Sequence, residues 1–252
     1  MRFIIILFFI TAYTFAITGI ELAEKIESRE KPENIKSINT MILTNKDDRI
    51  KTLELISISK GDSKKQMIWF LKPKKDKGIA FLKIEHEDKD DFMTMWLPGF
   101  SRFKRIKSSQ KSDSFMGSDL SFEDLTNRDI EDYNYIMINE EENCSDNNKQ
   151  LCYKLLSEPK DKSSEYSKHI TWVTKNTFTT FKEESYDKEG LLFKNKKIEY
   201  SYIDNYYIMN KLYVENVQKN HSTLLTINNI KINLGFSDEM FHTKTIKRMP
   251  IN

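Results

Sequence analysis

The feature that constrains this chain most is a long succession of period-two segments joined by links of a few residues, running from about position 35 to about position 233. Alternation of apolar and polar side chains marks half-buried strands. The links carry turn-forming residues, among them Lys60-Gly61-Asp62, Asp76-Lys77-Gly78 and Asp187-Lys188-Glu189-Gly190. Parallel strands need a crossover of a dozen or more residues, so links this short impose antiparallel pairing. Strands are expected over 35–44, 49–59, 65–71, 78–84, 92–97, 101–107, 133–140, 150–157, 168–175, 178–186, 191–202, 206–217 and 221–233. The expected fold class is mainly β with a few short α-helices, a meander curled enough to protect its edges.

Two segments depart from alternation. Met67-Ile68-Trp69-Phe70-Leu71 and Phe92-Met93-Thr94-Met95-Trp96-Leu97 are apolar on both faces and need cover on both sides. By contrast, 196–200 and 211–215 alternate and can leave one face in water. Cover for one face is expected from an N-terminal helix and from the segment after Gly117; nothing in the sequence identifies the cover of the other. Thr18 and Glu21 have the spacing of a capping box, Ile20, Ala23 and Ile26 share one helical face behind it, and Pro32 is expected to end the helix. The basic tail 241–249 suits a last short helix or strand.

Met1-Arg2, an apolar run to about Ala16 and the small residue there have the order of a secretory signal peptide, with cleavage expected after Ala16, the alternative being an uncleaved anchor. The run is shorter than the roughly 20 apolar residues that span a bilayer. Residues 17–252 are expected to form one domain, monomeric, soluble once exported, and periplasmic. The 38% hydrophobic and 12% aromatic content of the full sequence supports a real core. Lys+Arg 40 against Asp+Glu 38, without a basic stripe, gives no nucleic-acid surface. Cys144 and Cys152 flank a polar hairpin tip. If the loop is centred on Asn148 they face each other and suit a disulfide, the alternative being two free thiols.

Nothing in the chain points to catalysis. His86, His169, His221 and His242 share no metal-ligand spacing, and there is no GxSxG, HExxH, P-loop or GxGxxG. The acidic run 85–91 lacks the glycine and ligand rhythm of a calcium loop and reads as a solvated hairpin tip. Asp119, Glu123 and Asp124 surround a helix start, where carboxylates favour the helix dipole. No enzyme, metal or cofactor is expected.

The stretch 91–125 joins these themes. An apolar strand breaks at Pro98-Gly99, resumes as a basic strand, and leads through a polar run to Phe115-Met116-Gly117-Ser118-Asp119. Phe115 and Met116 beside a glycine hinge, Gly117, suit a lid over a cavity, since methionine repacks around irregular ligands; equally they suit a plug in the core. Arg102, Lys104, Arg105 and Lys107 suit phosphate head groups, an acidic partner or a solvated strand face.

These residues resemble the signature of the outer-membrane lipoprotein-sorting proteins of the LolA/LolB-like superfamily. The resemblance rests on Trp96, Leu97, Pro98, Arg105, Ile106, Ser114, Phe115, Met116, Gly117, Ser118, Asp119, Phe122, Glu123, Asp124 and Leu125. It extends weakly through 69–78 and 172–190. Lys104 stands where a second arginine is common, and the acidic 140–143 fits no part of the pattern. The resemblance implies a strongly curved, open half-barrel of antiparallel strands with helices covering its concave face. It implies a non-enzymatic carrier that takes acyl chains of lipoproteins or phospholipid across the periplasm toward the outer membrane. The alternative it allows is an accessory subunit docking a transporter of the resistance-nodulation-division type. Candidate acyl-chain contacts are Trp69, Phe92, Trp96, Phe115, Met116 and Phe122.

Overall fold

The computed structural model describes residues 16–145 and 148–250, so the signal-peptide expectation lies outside the described residues but for Ala16. The alternating segments form thirteen strands. They are β1 (Asn34–Thr44), β2 (Ile50–Lys60), β3 (Lys65–Lys72), β4 (Ala80–Ile84), β5 (Phe92–Leu97), β6 (Arg102–Ile106), β7 (Tyr133–Ser145), β8 (Asn148–Pro159), β9 (Lys168–Thr174), β10 (Thr180–Tyr186), β11 (Leu192–Ile203), β12 (Tyr206–Asn216) and β13 (His221–Ile232). Each expected strand is present, with ends shifted by a few residues at most cases and the largest extension in β7. All lie in one antiparallel sheet of order β6-β5-β4-β3-β2-β1-β13-β12-β11-β10-β9-β8-β7. Two meanders, β1–β6 and β7–β13, are thus stitched together by β1 against β13, and β6 and β7 are the two edges.

The sheet is curled, and one loop demonstrates it. Residues 107–132 connect β6 to β7; Leu125 O accepts from Lys83 Nζ of β4, while Arg128 pairs with Glu183 of β10. Those strands stand seven spacings apart in the sheet order, about 34 Å if the sheet were flat. Three residues of chain reach only about 10 Å, so the face carrying Lys83 and Glu183 is concave.

Side chains on β3 show why both faces needed cover. Ile68 and Phe70 enter the concave core with Phe81, Met93 and Phe115. Met67 and Trp69 point the other way and pack with Ala80, Leu82, Phe241 and Ile246. The cover that the sequence left unassigned is therefore the C-terminal tail, whose short helix α2 (Thr243–Ile246) lies on the convex face; Trp69 Nε1 donates to Ile246 O at 2.8 Å.

Helix α1 (Gly19–Glu27) has the expected capping box: Glu21 N donates to Thr18 Oγ1 at 3.2 Å and Thr18 N donates to Glu21 Oε2 at 2.7 Å. Two expectations about it are corrected. It ends at Glu27 with a Ser28 cap, ahead of Pro32. It covers the far end of the sheet instead of the dry centre, placing Leu22 against Leu155 and Val173. Gly19 permits this docking, because a Cβ there would fall 2.9 Å from Ile136 N.

Cys144 and Cys152 form a disulfide with Cα atoms 5.2 Å apart. The register differs from a simple facing pair: Cys152 stands opposite Glu142 and the ladder shifts between Asn143 and Ser145. The acidic 140–143 lies on this irregular edge strand, where bulges discourage pairing with other chains.

Candidate functional site

The loop 107–132 is the element that builds the site, and it grips the concave face in two ways. Its first anchor is aromatic. Phe115 is 1% exposed, with its ring centroid 5.4 Å from that of Phe81, 5.8 Å from Phe70 and 5.8 Å from Phe122. Such tilted and edge-on pairs at 4.5–7 Å are favourable beyond the area they bury. The chain reverses behind Phe115 through Met116 and Gly117, with φ of 56° and 83°. Ser118 closes the turn by donating from N and Oγ to Phe115 O, at 3.0 and 2.7 Å.

Its second anchor is ionic. The Asp124 side chain is 1% exposed and takes Lys196 Nζ at 2.7 Å, Lys194 Nζ at 2.8 Å and the Tyr166 hydroxyl at 2.9 Å. Arg128 donates to both oxygens of Glu183, at 2.6 and 2.9 Å, and Glu183 also meets Lys196 at 3.1 Å. Burial alone would raise the Asp124 carboxyl, but Lys196 and Lys194 hold it far below the usual carboxylate range. Glu183 is likewise lowered, against burial, by Arg128 and Lys196. Burial, aided by Arg128, pushes His169 well below the usual imidazole range and keeps it neutral. Arg128 can only donate, so its 3.3 Å contact makes His169 Nδ1 the acceptor.

The three loop carboxylates correct the helix-dipole reading. The segment after Gly117 contains only two three-residue 3-10 turns, Glu123–Leu125 and Ile130–Asp132. Each carboxylate instead reaches a distant partner. Glu123 accepts from the Ser164 hydroxyl and from Glu165 N, and Asp119 accepts from Thr223 Oγ1 at 2.7 Å.

Between the loop and the sheet lies a cavity of about 400 Å³. Its floor is apolar, with Met41, Leu55, Ile68, Phe115, Leu212 and Leu225. Ser37, Asn39, Ser57, Ser59 and Gln66 line it nearer the mouth, which opens beside Arg29–Asn34 and the β2–β3 turn. Tyr200 forms part of the wall, with the Arg29 guanidinium 5.7 Å from its ring centroid.

The candidate acyl contacts separate onto two faces. Phe115, Met116 and Phe122 belong to the concave core, and Phe115 lines the cavity. Trp69, Phe92 and Trp96 belong to the convex cluster beneath the C-terminal tail, remote from the cavity. Alternation explains the split: Phe92 and Trp96 are in phase with each other and out of phase with Met93 and Met95. Of the remaining motif positions, Gly117 is exposed and a Cβ there would meet nothing within 4 Å. Pro98 begins a 3-10 turn, Arg105 donates to Asp91 O at 2.8 Å on the exposed edge strand, and Leu125 packs on the concave core.

A second, more polar pocket of about 340 Å³ lies behind Gly117, beside Asp119 and His221. His221 Nδ1 stands 2.7 Å from Asp119 Oδ2. The serines nearby are engaged by the loop itself: Ser114 Oγ donates to Ser118 O, Ser118 Oγ to Phe115 O and Ser121 Oγ to Asp124. The Asp119–His221 pair therefore reads as a latch holding the loop to β13. Lys194, Lys196, Glu183 and Arg128 were missed by sequence reasoning. The available signal was phase: Lys194 and Lys196 alternate in step with Ile198, on the inward face.

Comparison with known proteins follows the same lines. A family model described as an uncharacterized protein matches residues 62–248. A solved domain of a candidate outer membrane lipoprotein-sorting protein from Vibrio parahaemolyticus superposes with a TM-score of 0.84 at 30% identity, covering 91% of this chain and 98% of that one. A DUF1329 family protein from Desulfovibrio piger gives 0.83 at 29% identity, over 90% and 97% of the two chains. A LolA superfamily protein from Nitrosomonas europaea shares the fold, with a TM-score of 0.71 at 19% identity over 91% and 99%. No curated protein matches in sequence. Among the described residues no helix is long and apolar enough to cross a membrane. With 30% identity across nine-tenths of its length and the same open curved sheet, the chain belongs to the family of the outer membrane lipoprotein-sorting protein domain.

Proposed function

We propose that this protein is a non-enzymatic periplasmic carrier that shields an acyl chain of a lipoprotein or lipid on its way toward the outer membrane, with residues 17–252 acting as one carrier domain. The observation that carries this reading is the cavity of about 400 Å³ with its apolar floor beneath the 107–132 loop. It falls in the range of ligand sites, roughly 300–1,000 Å³. At about 30 Å³ for each water-sized group it accepts about a dozen methylenes, which is one chain and not the several chains of a mature lipoprotein. Each methylene transferred from water contributes about 0.8 kcal/mol. A chain of that length is therefore held out of water by area alone, without a reactive group.

The lid reading of residues 115–117 narrows to Met116 and Gly117. Phe115 is packed among rings and serves as the fulcrum, whereas the exposed Gly117 has room to move. The test is native mass spectrometry of protein purified from the cell envelope, with extraction of bound lipid. One acyl chain per protein is expected; protein that stays empty and takes up no lipid from vesicles refutes the carrier.

The accessory-subunit reading is favoured by one surface. Edge strand β6 and the preceding turn expose Phe100 (72%) and Phe103 (36%) beside Arg102 and Lys104. A docking subunit would co-purify with a resistance-nodulation-division transporter and lose it on Phe100→Asp, with lipid content unchanged.

A further inference from the structure

The cavity wall is not uniformly apolar, and its polar part is placed in register. Ser37 of β1 stands directly opposite Ser57 of β2, and Ser59 opposite Gln66 of β3. One inward step along the same face of β1 comes Asn39, and one step further Met41, opposite Leu53. Same-face steps are about 7 Å, so the wall changes from hydroxyl and amide groups to hydrocarbon within two steps of the mouth. Asn39 is 5% exposed, and its Oδ1 has no hydrogen-bond partner among the described residues. Neither has Gln66 Oε1, nor Asn34 Nδ2 at the rim, where Asn34 is 1% exposed.

Native proteins pair nearly all buried polar atoms, and each exception calls for an explanation. Among the described residues seven buried side-chain atoms lack a hydrogen-bond partner, and three of them, on Asn34, Asn39 and Gln66, line this one cavity. A bare hydrocarbon chain would leave Asn39 and Gln66 unpaired. A wholly polar ligand would lie against Met41, Leu55, Ile68 and Leu225 without gain. An ionised fatty acid offers only acceptors, so it can pair with the amide N–H groups of Asn39 and Gln66 but leaves their oxygens unpaired.

Resting on the carrier reading, we infer that the ligand is a single-chain amphiphile whose acyl chain leads directly into a donor-bearing uncharged group, a glycerol hydroxyl or an amide N–H, seated against Asn39, Ser57 and Gln66. Two sources supply that chemistry: a monoacylated glycerolipid, and a single-chain N-acylated amine.

The experiment is calorimetric titration of the full mature chain, stripped of lipid, with four probes of equal chain length. They are 1-monomyristoylglycerol, N-myristoylethanolamine, methyl myristate and myristate. At least one of the first two is expected to bind tenfold or more tightly than methyl myristate and myristate, and the stronger identifies the source. Asn39→Leu is expected to remove that preference, weakening the favoured probe tenfold or more toward the affinity of methyl myristate. Gln66→Leu, nearer the mouth, supplies an independent variant with the same expectation. Equal binding of all four probes, or a preference that survives both substitutions, overturns the inference and leaves the carrier standing. Failure of every probe to bind overturns the carrier reading itself.

Discussion

Residues 107–132 are held to one curved sheet by rings at one end and by charges at the other, and the two grips have different physical consequences. Phe115 and Phe122 sit among Phe70, Phe81, Met93 and Met95, where contact is non-directional and neighbouring packings differ little in energy. Asp124 and Arg128 meet Lys194, Lys196 and Glu183, where bond direction admits one arrangement. On the proposed carrier function, the aromatic grip is the one free to slide as a ligand enters beneath it. The ionic grip fixes how far β10 and β11 curl toward β4, and so fixes the cavity's width. A buried ion network adds little net stability over a well-packed apolar substitute; its contribution here is the setting of one geometry.

The sharpest way to break this contrast is Asp124→Ala. It leaves Lys194 and Lys196 buried without their shared carboxylate, and a cost of about 3–5 kcal/mol is expected in urea unfolding, the range for breaking a buried pair. If geometry rather than stability is what the network supplies, Asp124→Leu combined with Lys194→Met and Lys196→Met recovers most of that loss. The triple variant then binds lipid less tightly, because the curl is no longer fixed. Full recovery of both stability and binding would reduce the network to filler. At the other anchor, Phe115→Ala is expected to cost about 3 kcal/mol by cavity formation. It should increase the volume available to ligand, so that lipid binding persists or favours a longer chain.

A smaller effect lies in pH. His169 is neutral in the folded protein, lowered by burial and by Arg128, with Glu183, Lys196, Asp124, Tyr133 and Tyr166 around it. A lowered folded-state value means that the unfolded chain binds the proton first. The stability it contributes is complete above the unfolded value of about 6.5 and is lost as pH falls from there toward the folded value. The lowered carboxylates Asp124 and Glu183 act with the same sign, from about pH 4 downward. Glu165, raised by burial, acts with the opposite sign. The difference between wild type and His169→Gln isolates the imidazole: the variant's stability should fall less steeply between pH 6.5 and 4.5, by up to about 1.4 kcal/mol per pH unit. Parallel curves would mean that His169 is not held neutral.

How much of this was legible follows the kind of force involved. Strands and turns were, because alternation and Gly/Asp links are local, and the doubly apolar Met67–Leu71 announced a face needing cover. What covered it was not legible: Phe241 and Ile246 lie far along the chain, and nothing local to Trp69 names them. The ionic grip was hidden for a related reason. Lys194 and Lys196 look like the wet half of an alternating strand until Asp124, about seventy residues away, is placed against them. Sequence alone places Phe92 beside Phe115 in an aromatic-rich stretch; only the register separates them onto opposite faces. The cavity's polar band was equally invisible, since Ser57, Ser59 and Gln66 read as ordinary outward positions.

The gentlest perturbation falls between the two grips, at Gly117. Its φ of 83° is left-handed, while a Cβ would meet open space, so Gly117→Val pays only for backbone strain, about 1–2 kcal/mol. Stability should therefore drop less than for Phe115→Ala. If the aromatic grip is the sliding one, Met116–Gly117 is where the chain must change conformation as Phe115 shifts, and a β-branched residue narrows that freedom. Lipid transfer from donor to acceptor vesicles should then slow several-fold, at an equilibrium lipid occupancy near that of wild type. A variant that loses transfer only in proportion to its lost stability would make the loop a fixed plug, with the rings and the charges serving one and the same purpose.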